Sequence, residues 1–225
     1  MASPIVVNCG SEGTHFFSAL DGTITWTTVG HLTGACDSVF DGSNGIGSAQ
    51  KTQSLDGYGF TVGLPSGQSV LGLQVVASIK RTGSRAATVN GKLQINGSAK
   101  SPTGTNADGT AVNTTVANFT WGGSTDLWGF LTADLSQANI NSNVEGTGPT
   151  FGCWFTGGGG TSTSVMQVDC VTLSVWYTAS AATNTFRKTR SALGTRVGSR
   201  QVVGFRDDWT LRGGIYCRHR RVLVA

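Results

Sequence analysis

Period-two alternation of apolar and polar residues, broken at short intervals by glycine-rich turns, constrains this chain more than any other feature. It recurs over residues 23–26, 59–62, 70–79, 87–95, 112–121, 150–155 and 166–177. Successive side chains on a strand point to opposite faces, so runs of this kind fit strands with one buried face. Between them lie Asp41-Gly42-Ser43-Asn44-Gly45, Asp56-Gly57, Asn90-Gly91, Asn96-Gly97 and residues 157–160, chemistry that accepts positive φ or closes a turn. Glycine supplies 33 of 225 residues, about twice its usual share, and charged residues make up only 12%. Many short strands with this punctuation predict an all-β, antiparallel β-sandwich. No window carries helical periodicity, and residues 136–141 have room for about one helical turn. In the last run Val171, Leu173, Val175 and Tyr177 share one face, and Cys170, Thr172, Ser174 and Trp176 the other. Val75, Ala77 and Ile79 form a matching apolar set.

Three segments occur in a fixed order: LPSGQSVLGLQVVASIKR (64–81), WGGSTDLWG (121–129) and VDCVTLSVWYT (168–178). Together they resemble a jelly-roll-like β-sandwich that recurs in structural proteins of tailed bacteriophages. The likeness spans residues 22–179 and rests on order and spacing, since each segment alone is common. It implies a virion setting, as a capsid decoration, tail fibre or spike subunit, with a homotrimer as the expected assembly. It supplies no catalytic residues, and it explains neither Cys153, Cys170 nor the basic C-terminal segment. The chain thus divides into residues 1–21, a strand or an arm; the sandwich, 22–179; and a basic extension, 180–225.

Charge separates the last two regions. Residues 1–179 carry six basic and ten acidic groups, a balance of −4, whereas residues 180–225 carry ten basic groups against Asp207 and Asp208, a balance of +8. The extension has no helical apolar period and is interrupted by Gly194, Gly198, Gly204, Gly213 and Gly214. It reads as an extended arm that a partner orders. Its expected docking residues are Arg187, Lys188, Arg190, Arg196, Arg200, Arg218, Arg220 and Arg221, with Phe205, Trp209 and Tyr216 as apolar contacts. Clustered arginine also suits phosphate, but no groove-reading motif accompanies it, so other virion proteins are the expected partners rather than nucleic acid. No apolar run reaches 18 residues and the start lacks a signal-peptide pattern, so no membrane insertion or secretion signal is expected.

The remaining candidates are weighed against ordinary packing. Five cysteines, Cys9, Cys36, Cys153, Cys170 and Cys217, include no C-x-x-C, which disfavours zinc and thioredoxin-like sites. A hairpin across residues 157–160 would set Cys153 opposite Cys170, a candidate disulfide, against the commoner role of small buried apolar residues. His15, His31 and His219 lie in no hydrolase motif, and the chain has just two glutamates, Glu12 and Glu145, so no enzyme, metal or cofactor is expected. Asp37, Asp41, Asp56 and Asp108 fall in turns where aspartate commonly bonds its own backbone, and Asp37 and Asp41 lack calcium-loop spacing. Trp121, Trp128 and Trp154 are candidates for stacking on a host-surface glycan, with the loops around residues 121–128 and 157–160 as the contact region, the alternative function being a host-recognition module. Exposed, coplanar rings would favour that alternative and buried rings would remove it.

Overall fold

The computed structural model describes residues 4–15, 22–47, 49–83, 87–142, 151–159, 164–178, 187–190, 196–197, 200–212 and 215–224, with backbone alone for 13–15 and 187–224. Its contacts divide the chain into two compact units, Met1–Ala179 and Ser180–Ala225. The first contains β1 (Ile5–Asn8), β2 (Ser11–His15), β3 (Trp26–Thr28), β4 (Asp41–Ser43), β5 (Ser54–Tyr58), β6 (Val70–Thr82), β7 (Ala87–Ile95) and β8 (Ser98–Lys100). It continues through β9 (Thr110–Val112), β10 (Ala117–Gly123), the single turn α1 (Gln137–Ile140), β11 (Phe151–Gly158) and β12 (Val165–Tyr177). Ser136 caps α1 by accepting from the Asn139 N–H, which satisfies one donor of this short helix.

The strands form two antiparallel sheets packed as a β-sandwich. One runs β10-β6-β12-β4-β3 with β1 also on β12; the other runs β2-β5-β11-β7-β8 with β9 also on β7. Residues 1–21 therefore supply a strand to each sheet. The alternation read from sequence predicts the inner faces: Val75, Ala77, Ile79, Val171, Leu173 and Val175 are all buried in one core. Each of the larger side chains stabilises the fold by about 1.5–3 kcal/mol relative to exposure, and Ala77 by less. Trp121, Phe119 and Phe155 fill the middle of that core, with Trp121 and Phe155 ring centroids 5.3 Å apart.

Several boundaries differ from the sequence pattern. The run at 59–62 is not a strand: Gly59 takes φ +71° and ends β5, although Phe60 and Val62 stay buried. Residues 112–121 split between β9 and β10, which lie in different sheets. Asn96-Gly97 forms the expected turn, at φ +47° and +79°, joining β7 to β8. Asn90-Gly91 instead lies inside β7, where a Cβ on Gly91 would sit 2.7 Å from the Trp121 ring. Glycine is there to admit an indole, not to turn the chain.

Two long strands have an outer edge shared by two short partners. β12 pairs with β6 along one edge; on the other, β4 takes Gln167 and Val168 and β1 takes residues 172–175, with a bulge at 169–170 between them. β7 pairs with β11 along one edge; on the other, β9 takes Ala87 to Val89 and β8 takes Leu93 to Ile95, leaving Asn90, Gly91 and Lys92 without a strand partner there.

In the second unit, β13 (Arg187–Arg190), β14 (Arg196–Val197) and β16 (Ile215–Val224) each pair antiparallel with β15 (Arg200–Arg212).

Candidate functional site

The aromatic residues expected to stack on a glycan are interior. Trp121 is 0% exposed and Trp128 1%, and Trp154 is 1% exposed as well, so none of these indoles offers a face to a sugar. The polar edges of the first two are also taken, since Trp121 Nε1 donates to Asp108 Oδ1 and Trp128 Nε1 to the Leu73 carbonyl, both at 2.9 Å. Period-two alternation sends Trp121 inward beside Phe119, and the turn that follows folds Trp128 back over β6. Gly122 permits that turn at φ +77°, where a Cβ would sit 2.2 Å from the Leu73 carbonyl oxygen. Asp126 locks it by accepting from the Trp128 and Gly104 N–H groups at 2.7 Å, from Thr103 N–H at 2.9 Å and from Thr103 Oγ1 at 2.7 Å. Burial raises the Asp126 pKa, but the hydrogen bonds from Thr103, Gly104 and Trp128 outweigh it and hold the carboxyl below its ordinary value. The WGGSTDLWG segment is thus a structural staple.

The expected disulfide is also corrected. Cys170 bonds Cys36, with Cα atoms 5.0 Å apart, and Cys153 is a free, buried thiol. The anticipated hairpin does not form because β11 and β12 belong to opposite sheets: Cys153 faces Gly57 and Leu93, while Cys170 lies in the β12 bulge. Cys36 brings the loop between β3 and β4 onto that bulge. Asp169, beside Cys170, fastens the same loop by accepting from the Asp37 and Ser38 N–H groups at 3.2 and 3.3 Å. Cys36, Cys170 and Asp169 present ligand atoms within 4.8 Å of one another, the one such trio among the described residues, but both sulfurs are committed to each other. Cys9 and Cys153 both crowd the Cα of Gly57, where an added Cβ would meet their sulfurs at 3.1 and 3.4 Å. Burial pushes Cys9 up to about 12 and Cys153 well above the ordinary thiol range, so both are poor nucleophiles at neutral pH.

A carboxyl pair absent from the sequence reading holds the other end of the same loop. Glu12 on β2 accepts from Leu32 N–H at 2.7 Å, and Asp41 on β4 accepts from His31 N–H at 3.0 Å. The two carboxyls are electrostatic neighbours, and Glu12 Oε1 and Asp41 Oδ2 are buried without a hydrogen-bond partner. Burial raises Asp41 from 3.8 to about 7; the backbone bond from His31 lowers it and the neighbouring Glu12 charge raises it further. The pair spans both sheets from positions 29 residues apart, which no local spacing rule would connect. Asp37 and Asp41 do not converge on a cation site: Asp37 Oδ1 accepts from Val39 N–H, the local bond expected of a turn aspartate.

The outward face of the second sheet carries a recess of about 160 Å³ lined by Lys51, Asn90, Lys92, Asp108, Trp154 and Thr156. Register builds it: Asn90 lies opposite Thr156 and Lys92 opposite Trp154 across the β7 and β11 ladder. Lys51 enters along the far edge of β11 through a bridge to Gly158. Asp108 docks at the unpaired stretch of β7, where its Oδ1 takes the Gly91 N–H at 2.7 Å in addition to Trp121 Nε1. Lys92 Nζ donates to Ser101 Oγ, which fixes one ammonium at the rim.

Arg187, Lys188, Arg190, Arg196, Arg200, Phe205, Trp209, Tyr216, Arg218, Arg220 and Arg221 fall on β13 to β16, where their side chains lie outside what the structure describes. No known protein family matches the chain, and no curated protein matches it either.

Proposed function

We propose that the chain is a non-enzymatic structural subunit of a tailed-bacteriophage virion, a capsid decoration, fibre or spike component with a jelly-roll-like body. Residues 180–225 serve as its docking arm on other virion proteins, and the body forms a homotrimer. The observation that carries this reading is the opposition of charge, −4 on residues 1–179 against +8 on residues 180–225, placed on two separate compact units. A basic segment on an acidic body suits attachment to acidic protein surfaces, including the body of a second copy. A loop tied at both ends by carboxylates and a disulfide suits a body that persists outside a cell. The order of the three phage-like segments supplies the virion setting. The glycan-recognition alternative loses its stacking surface, because Trp121, Trp128 and Trp154 are all buried.

Size-exclusion chromatography with light scattering tests this on the full chain and on residues 1–179, each at low and high salt. The expected result is a trimeric body and, for the full chain alone, further association that salt reverses. Salt-insensitive monomers in both cases would overturn the trimer and the docking arm together.

A further inference from the structure

We infer that residues 30–34, Gly-His-Leu-Thr-Gly, form a strap that closes over two buried thiols and opens when Asp41 loses its proton beside Glu12. Residues 27–39 are all exposed except Leu32, which is 0% exposed and is the apolar anchor of the strap. Gly30 and Gly34 bound it at φ +133° and +84°, backbone states that glycine adopts without steric cost. Beyond Gly34 the chain is fixed by the Cys36 to Cys170 bond and by Asp169, so release of the strap leaves the rest of the loop in place.

Three backbone bonds hold the strap, and two of them end on carboxyls. His31 N–H donates to Asp41 Oδ1 at 3.0 Å, Leu32 N–H to Glu12 Oε2 at 2.7 Å, and Gly34 N–H to the Cys9 carbonyl at 2.9 Å. The second oxygen of each carboxyl, Asp41 Oδ2 and Glu12 Oε1, is buried without a hydrogen-bond partner. A buried oxygen without a donor is cheap on a neutral carboxyl and costly on a charged one, and two such charges side by side repel. Lifting the strap returns both oxygens to water. The titratable groups facing Asp41 are Glu12 on β2, His31 on the strap and the Cys9 thiol between β1 and β2. Burial favours neutral Asp41 most, the bond from His31 opposes it, and the Glu12 charge adds to the burial.

The thiols lie beneath the strap. Leu32 Cδ2, Cys9 Sγ and Cys153 Sγ converge on Gly57, at 3.2, 3.1 and 3.4 Å from the point a Cβ there would occupy. Glycine at 57 thus leaves a pocket that the leucine plugs, and withdrawing Leu32 takes one wall from both sulfurs. Strap release is independent of the virion reading, since it concerns the body alone and needs no partner.

Amide hydrogen exchange on the full chain, read by NMR where reclosing outruns exchange, tests the strap. Asp41 stands at about 7 with the strap closed and returns to 3.8 in water, so closure is strongest below about pH 4 and weakens up to pH 7. The open population should therefore rise on the order of 50-fold from pH 5 to pH 7 and then level off. His31, Leu32 and Gly34 should lose that much protection after correction for intrinsic exchange. They should also exchange at least about tenfold faster than Val75 and Leu173 in the core, and low urea should accelerate the core alone. Asp41→Asn should flatten the pH dependence, Glu12→Gln should reduce it, and His31→Asn should leave it in place. At pH 8, iodoacetamide should alkylate Cys9 at least about tenfold faster in the wild type than in Asp41→Asn, a comparison at one pH that cancels the ionisation of the thiol itself. Strap protection that is level from pH 5 to pH 7, or that falls equally in Asp41→Asn, would overturn the proposal. So would strap amides that follow the core in urea, a dependence lost in His31→Asn, or equal alkylation of Cys9 in the two chains.

Discussion

Replacing Asp126 by alanine should be among the most damaging single changes to the sandwich. Its carboxylate accepts from three backbone N–H groups and one hydroxyl: those of Thr103, Gly104 and Trp128, and Thr103 Oγ1. Hydrogen bonds to a charged acceptor contribute about 1.5–3 kcal/mol each, but four onto one group are not additive, and water can reach some of the donors left behind. A loss of about 3 kcal/mol follows, a large fraction of the ~5–15 kcal/mol that holds a domain. Asp126→Asn keeps one acceptor oxygen and should cost about half as much. The pH dependence separates this mechanism from generic damage. The folded-state pKa lies below 3.8, so the stabilisation is present above about pH 4 and is lost as pH falls through the folded value. Urea unfolding followed by tryptophan fluorescence at pH 7 and pH 3 measures it. The wild type and Asp126→Ala should differ by about 3 kcal/mol at pH 7, and the gap should narrow at pH 3, on the way down to the folded-state pKa. A gap under about 1 kcal/mol at pH 7, or one of equal size at both pH values, would refute the staple assigned to this carboxylate.

Asp41 has the opposite sign. Its folded-state pKa of about 7 is above 3.8, so its contribution is complete below about pH 4 and is lost as pH rises through 7. The wild type should lose on the order of 2 kcal/mol between pH 5 and pH 8 while Asp41→Asn stays level, and level melting temperatures in the wild type would discount the raised Asp41 carboxyl. Cys36→Ser should lower stability by about 2–5 kcal/mol under oxidising conditions, since the bond links positions 134 residues apart. Dithiothreitol should then shift the melting temperature of the wild type and leave the variant unmoved. Gly91→Ala drives a Cβ into the Trp121 ring and should cost about 1–3 kcal/mol, read from its urea midpoint; a neutral result would mean the indole has room to move.

The sandwich was legible because alternation reports burial directly. Val171, Leu173 and Val175 face the core as their spacing requires, and Asn96-Gly97 turns as its chemistry requires. What alternation does not encode is which sheet a strand joins. β11 and β12 follow one another across a glycine-rich connection and read as a hairpin, yet they lie in opposite sheets, and the Cys153 to Cys170 pairing fails with that assumption. The recess was hidden for a related reason: Lys51, Asp108 and Trp154 are far apart in sequence and meet through register.

The aspartates show where local reasoning ends. Placed in Gly, Ser and Asn-rich stretches, each suggests a bond to its own turn, and Asp37 makes one to Val39. Asp108 and Asp41 do not: they reach the N–H groups of Gly91 and His31, 17 and 10 residues away. A buried backbone N–H without a strand partner needs some acceptor, and two short strands sharing one edge of β7 leave such a donor at Gly91. Asp108 is the answer to that gap, so its position is set by the edge-sharing of β8 and β9 rather than by its neighbours in sequence. The same residue then faces outward into the recess. A gap in the hydrogen-bond ladder has thus placed a fixed carboxylate at the edge of β7, beside the lysine that β7 carries one residue further on. Sheet topology, not a motif, assembles this charged recess.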